Sequence, residues 1–351
     1  MTTQPQPPIH THGNMLVLDK TPDASGIDIA SVGILLDKYA VDTSKTIDRV
    51  TSVFLNTILG WIIPIHTHGF IRVIDYMGDD SSIVQAARVS YGKGTTTKSE
   101  DAGLLSYLVE NYHTSPVEQV RIKFHIKAPI FVARQWLRTR MASTNEYSGR
   151  YSIMDGECYI PEFEFIAAQS KDNKQGRGAE LTLEQKKKVQ ELLIAISDES
   201  NTTYHKLLDD DIGLARELAR IGLTLNTYTE WYWTVDAHNL FNFLRLRMHH
   251  HAQREIRDYA DAIWMIVEGW LPLTARAVKN FVLDGERFSG AAMAYLRARI
   301  DADGGEVEKV SGMSRREKTK IDQMFKSKPR GFLSRLGDRV LNNLCFYKSQ
   351  G

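Results

Sequence analysis

The stretch Arg134-Gln135-Trp136-Leu137-Arg138-Thr139-Arg140-Met141-Ala142-Ser143-Thr144-Asn145-Glu146-Tyr147-Ser148-Gly149-Arg150-Tyr151 concentrates the chemistry of this chain. Four arginines, two serines, a glycine and a carboxylate follow directly on an apolar run. Guanidinium groups match phosphate oxygens in a bidentate fork. Ser148 and the backbone around Gly149 can add short donors to the same anion. The stretch therefore reads as a site for a phosphorylated small molecule, built from arginines rather than from a glycine-rich loop.

Working outward, Pro129 is placed at the first turn of a helix carrying Arg134 and Arg138, which share a face at a spacing of four. Before it, residues 120–127 alternate strictly between apolar and polar and predict a strand. Residues 70–76 predict another, and Asp79 to Ser82 can cap a helix running to Ala87. Further helices are expected over 102–112, 183–208, 212–221 and 237–270. Residues 169–178 read as a polar loop.

The 351 residues suffice for a sizeable core, in one large or two ordinary domains. A formal net charge of +1 gives no global field toward nucleic acid or anionic lipid. Two cysteines, Cys158 and Cys345, supply neither a disulfide framework nor metal-ligand spacing, which fits a reducing cytoplasm. The start of the chain lacks the pattern of a secretory signal. The apolar run 53–63 falls well short of the roughly 20 residues that span a bilayer.

Residues 1–68 read as an N-terminal extension, with a helical pattern over 34–63 that ends at Pro64. The hexapeptide Pro-Ile-His-Thr-His-Gly stands at both 8–13 and 64–69, a local duplication too isolated to mark a solenoid. Residues 69–290 carry the texture of a compact catalytic domain. Residues 291–351 form a basic extension with a short amphipathic pattern over 332–344. Within 311–340 nine Lys and Arg face three acids. Such a tail is most often a solvated surface, and nucleic acid is a minority reading.

A second dense region runs from Asn239 to Arg257. On one continuous helix Arg247 and His251 stack at i and i+4, with Asn242 offset. Such a polar stripe needs partners, either neighbouring carboxylates or a ligand. His249, His250 and His251, as successive helical residues, point roughly 100° apart and cannot converge on one ion. The pairs His10/His12 and His66/His68 share strand faces and are better metal candidates, although a solvated role is the commoner outcome. No metal is expected.

Several chemistries are unsupported. Ser148 lacks a Gly-x-Ser-x-Gly elbow, so an anion ligand is its better role. Cys158 has no cationic sequence neighbour and reads as an inert buried thiol. Neither Gly-x-Gly-x-x-Gly nor a Walker pattern occurs.

The two dense regions together resemble the flavin-dependent thymidylate synthases. That family's signature is Arg-His-Arg, seven residues, then Ser. It stands here as Arg138-Thr139-Arg140 and Ser148. The resemblance covers roughly residues 69–290 and includes segments 85–91, 113–118, 133–150, 214–220, 226–229 and 242–256. It implies an α+β fold, a central sheet flanked by long helices, in a homotetramer whose flavin sites draw on several subunits. It implies reductive methylation of dUMP to dTMP, with FAD, 5,10-methylenetetrahydrofolate and NADPH and without a cysteine nucleophile. Carried over residue by residue, Gln135, Arg138, Glu146, Ser148, Gly149, Arg150, Arg220 and Arg247 match dUMP positions. Ser90, Ser115, Glu118, Arg138, Thr139, Arg140, His238, Asn242 and His251 match positions lining FAD. Arg247, beside the uracil ring, and Ser148 are the catalytic candidates.

One position departs from the signature: its central histidine is Thr139. Threonine supplies one hydroxyl and less area than imidazole. Losing one such contact costs on the order of 1–2 kcal/mol, or roughly tenfold in flavin affinity. The alternative reading is a homologue that binds dUMP or flavin without efficient turnover.

Overall fold

The strict alternation over 120–127 does make a strand, and its neighbours explain the rest of the molecule. The computed structural model describes residues 49–89, 98–171, 176–301 and 319. Strands β1 (Ile62–Ile65), β2 (Gly69–Met77), β3 (Arg121–Pro129), β4 (Ala142–Glu146) and β7 (Tyr228–Asp236) form one sheet in the order β1-β2-β3-β7-β4. Every pairing in it is antiparallel. A two-stranded hairpin, β5 (Ala167–Gln169) with β6 (Arg177–Glu180), stands apart, its strands taking the two ends of the expected loop over 169–178, of which 172–175 lie outside the described residues.

Each helix follows from a local signal. Asp79 Oδ1 accepts from the backbone of Ser81 and Ser82 at the start of α2 (Asp80–Val89). α1 (Val53–Ile58) is capped by Ser52, and α3 spans Lys98–Glu110. The long α5 (Leu183–Leu208) opens with a capping box between Thr182 and Gln185. Along α7 (Ala237–Arg247) and α8 (Arg254–Trp270) the apolar residues fall on one side and cover the sheet.

The core lies between that sheet face and α7 and α8. Ile122, Phe124 and Ile126 from β3 meet Trp231, Trp233 and Val235 from β7, all at most 1% exposed. Trp136 ends α4 (Ile130–Trp136) and sits at the centre, with ring centroids 5.4 Å from Trp231 and Trp233 and 4.7 Å from Phe243. Aromatic packing of this kind is stiff. The chain beyond Trp136 therefore leaves the core from an anchored point.

Six expectations change. The helical pattern ending at Pro64 yields only α1, followed by edge strand β1, where proline lacks an N–H to waste. Leu55 is fully buried and β1 pairs with β2, so the compact unit begins near Val50 rather than at residue 69. At the other end α10 (Gly290–Asp301) buries Ala292 and Tyr295, carrying the unit past residue 290. Pro129 closes β3 and caps α4, and Arg138 lies in the turn beyond that helix rather than on a shared face with Arg134. The helix expected over 212–221 shrinks to α6 (Arg216–Ala219) and a 3-10 turn, Arg220–Gly222. The helix expected over 237–270 is broken at 248–253. The first hexapeptide copy, His10, His12, Ser90, Cys345 and the amphipathic pattern over 332–344 lie outside the described residues.

Candidate active site

Three supports carry the arginine-rich stretch. α4 presents Gln135, the turn after it presents Arg138 and Thr139, and β4 ends at Glu146, opposite Trp231 of β7. Residues 147–152 then reverse direction, with Ser148 O accepting from the N–H groups of Tyr151 and Ser152 at 3.0 and 3.1 Å.

The proposed nucleotide residues fall into two clusters. In the first, Arg247 at the end of α7 donates from Nη2 to the backbone carbonyl of Gln135 at 2.7 Å. Gln135 Nε2 donates to Gln253 Oε1 at 2.5 Å. Burial, and then the like charge of Arg138, hold the Arg247 guanidinium below the usual arginine range. It remains a cation at neutral pH. Its Nε is buried without a hydrogen-bond partner, and a buried unpaired donor is costly unless a ligand answers it.

In the second cluster, Gly149 is buried against Arg220 and Met154. A Cβ there would stand 3.2 Å from Arg220 Cδ and 3.3 Å from Met154 Sδ, so the absent side chain is what lets the arginine lie across the turn. Arg150 pairs with Glu217 at 3.0 Å on the surface. Glu146 Oε1 accepts from Thr229 Oγ1 at 2.9 Å. No hydrogen bond or ion pair joins the two clusters among the described residues.

Part of the proposed flavin set shares one open cleft. His238 and Asn242 of α7 line it, joined by a 3.2 Å hydrogen bond between Asn242 Nδ2 and His238 Nε2. Val117, Phe241, Val278 and Val282 give it apolar walls. Ser115 and Glu118 belong to the segment that forms one rim, whereas Arg138, Thr139, Arg140 and His251 are not among its lining residues. Thr139 is half-buried, and its N–H donates to Trp136 O at 2.9 Å.

The cleft is also lined by Tyr112, His113, Arg245 and Arg287, none of them expected as a site residue, although His113 and Arg245 fall in the segments that carry the resemblance. Tyr112 has φ 58°, a left-handed conformation uncommon for a bulky side chain and concentrated at functional positions. Arg287 lies 5.0 Å over its ring. The available signal was His238, Asn242 and Arg245 at i, i+4 and i+7, a polar stripe on an otherwise apolar helix. The stripe expected from Arg247 and His251 does not form, because α7 ends at Arg247 and His251 sits in the turn beyond.

The remaining candidates separate. His66 has φ 58° in the β1–β2 turn, pairs with Asp258 at 3.0 Å and packs against Tyr159 and Tyr259. His68 turns instead to Glu157 at 3.5 Å, so the two share no ion and the metal reading of that pair fails. Cys158 is half-buried, with Thr227 Oγ1 at 3.8 Å and Asn201 Nδ2 at 3.7 Å. Deeper in, Glu255 is 2% exposed and takes hydrogen bonds from Tyr159 and Arg177. Burial, the largest single effect, raises its pKa, but the Arg177 charge together with hydrogen bonds from the backbone, Arg177 and Gln253 leaves it below the usual carboxylate range.

An antiparallel sheet backed by helices, with an apolar cleft bordered by Arg245 and Arg287, defines an α+β protein with a concave surface suited to a small molecule. Residues 72–273 match the family model described as thymidylate synthase complementing protein. The chain is 53% identical to a flavin-dependent thymidylate synthase of Ehrlichia ruminantium (strain Gardel), over 66% of this chain and 77% of the relative. It is 48% identical to the enzyme of that description from Rickettsia prowazekii (strain Madrid E), over 80% and 99%. Among solved structures it is similar to the UMP/dUMP methylase PolB of Streptomyces cacaoi bound with 5-Br dUMP. That likeness has a TM-score of 0.57 and 29% identity, covering 63% of this chain and 99% of the other. The chain belongs to the flavin-dependent thymidylate synthase family.

Proposed function

We propose that this chain converts dUMP to dTMP, taking the methylene group from 5,10-methylenetetrahydrofolate and reducing equivalents from NADPH by way of FAD. The observation that carries the reading is Arg247: a half-buried cation at the end of α7 whose Nε has no hydrogen-bond partner among the described residues. A uracil ring becomes electrophilic when charge developing on a carbonyl oxygen is stabilised, and a preorganised cation does this without proton transfer. Ser148, Gly149, Arg150 and Arg220 suit the phosphate, and Gln135, Arg138 and Glu146 suit the rest of the nucleotide.

The residues present fit a flavin: the cleft offers apolar walls to a planar ring, with the His238–Asn242 pair at its polar edge. Ser90, Ser115, Glu118, Thr139, Arg140 and His251 complete the proposed flavin set. Bound there, reduced FAD supplies the hydride, while the protein orients the substrates and excludes water. Ser148 and Arg247 hold the nucleotide at the reaction and need no covalent link to it.

Two supports favour a homotetramer with shared sites. Among the described residues no hydrogen bond or ion pair joins the two clusters of nucleotide residues within one chain. Leu192 and Ile196 on α5 and Ile221 and Leu225 beyond it are more than half exposed, an apolar surface suited to another copy. Among the described residues no helix is long and apolar enough to cross a membrane. The proposal places the enzyme in the cytoplasm, acting on small molecules. Anaerobic incubation with FAD, dUMP, methylenetetrahydrofolate and NADPH should yield dTMP on chromatography. Colourless protein that forms no dTMP under these conditions refutes the proposal. Light scattering should give the mass of four copies.

A further inference from the structure

The three consecutive histidines are disqualified as a metal site only while they are helical. In the structure α7 stops at Arg247 and α8 begins at Arg254, so His249, His250 and His251 occupy the break. A helix spreads successive side chains around its axis, whereas a turn can fold them onto one side. This turn does so. Ring centroids lie 4.3 Å apart for His249–His250, 5.0 Å for His249–His251 and 3.9 Å for His250–His251. One nitrogen from each ring falls within 4.8 Å of the others, and all three residues are exposed.

We propose that His249, His250 and His251 form a binding site for a divalent transition metal, held by three imidazole nitrogens with water in the remaining positions. Metal–imidazole bonds of about 2.0–2.1 Å place the nitrogens of a three-ligand face roughly 3–3.5 Å apart. Rotations about the side-chain torsions of exposed rings cover the difference.

The turn itself is held by the backbone. Ala252 N donates to His249 O at 2.7 Å, and His251 N donates to His249 Nδ1 at 3.3 Å. Arg257 Nη1 reaches His250 O at 3.4 Å. An all-imidazole set without a carboxylate selects zinc, copper or nickel and rejects magnesium and calcium. The nearby arginines repel a cation, so affinity must come from coordination rather than from field.

Copper tests the site, because it binds imidazole most strongly among these ions and reports its ligands by electron paramagnetic resonance. The full-length chain titrated with Cu2+ should bind one ion with nitrogen superhyperfine structure. His249→Ala and His250→Ala should each weaken binding at least tenfold, and His250→Gln should behave like His250→Ala. A His10→Ala/His12→Ala double variant should bind as the parent does. Circular dichroism confirms that each variant is folded. Absence of nitrogen-coordinated copper overturns the proposal. So does affinity unchanged in both single variants, or binding that disappears with His10 and His12.

Discussion

The polar face of the sheet and the arginine turn at its edge use the same residue types in opposite ways. On the sheet, Arg72 Nη2 lies 2.6 Å from His125 Nδ1. Since arginine can only donate, that nitrogen accepts, and Nε2 carries the proton it donates to Glu230 at 2.8 Å. Lys127 then bridges Glu230 at 3.2 Å and Glu157 at 2.5 Å. Burial pushes the Lys127 amine down, but the two carboxylates outweigh it and raise it. Burial likewise pushes Glu230 up, and His125 and Lys127 bring it below the usual range. At the turn, Arg138, Arg140 and Arg220 are exposed and have no ion-pair partner among the described residues. Charge that is answered within the chain builds structure; the arginines left without an ion pair among the described residues are the ones the proposed function assigns to a ligand.

The comparison breaks most sharply at Arg247. If its charge serves the reaction, Arg247→Ala should lower turnover about a hundredfold or more while leaving the melting temperature nearly unchanged. Steady-state dTMP formation and a thermal melt, run together, separate these effects. Equal losses in both would return Arg247 to the structural group.

Glu255 belongs on the structural side, with its carboxylate buried against Tyr159 and Arg177. Glu255→Gln should cost about 2–3 kcal/mol in urea unfolding, less than a fully buried pair because Arg177 is 37% exposed. The same group sets the acid limb. Glu230, Glu255 and Asp258 are each raised by burial but lowered further by their partners, to below the usual carboxylate range. A depressed folded value contributes stability above the unfolded value near about 4, and loses it as pH falls through the folded value. Melting temperature should therefore be flat near neutrality and fall below about pH 4, with a shallower fall in Glu255→Gln.

Two smaller effects sharpen the ligand side. Thr139→His should tighten FAD binding about tenfold in a fluorescence titration, because it restores a planar ring at the signature position. A gain from no dTMP formation to measurable activity would instead favour the binding-only homologue. Glu217→Ala should change stability by no more than about 0.5 kcal/mol, since both members of its pair with Arg150 are more than half exposed. A shift in the dUMP KM from that variant would show that Glu217 competes with phosphate for Arg150.

Legibility in the sequence followed the range of the forces involved. Strand β3, the cap of α2 and the extent of α5 depend on neighbours within a few residues, and all are visible as patterns. Strands β4 and β7 were not singled out. β4 is polar and exposed along most of its length, and it is a strand because β7 offers it a partner. The helix break at 248–253 also escaped, since no proline or glycine marks it. The nucleotide candidates were legible as arginines with serine and glycine at a fixed spacing. The cleft residues Tyr112, His113 and Arg287 were not, because they come from segments far apart in the chain.

By itself the sequence determined which family the chemistry resembles and which side chains are available to it, because charge type and short spacing are written in linear order. Only the tertiary structure decided which of those charges are spent. Glu230 and Glu255 are neutralised by partners about a hundred residues away or fewer, on other elements, while Arg247 keeps an unanswered donor. The three histidines are the plainest case: a helix would scatter them and a turn gathers them. The choice between helix and turn was made by packing at both ends of the break rather than by the histidines themselves.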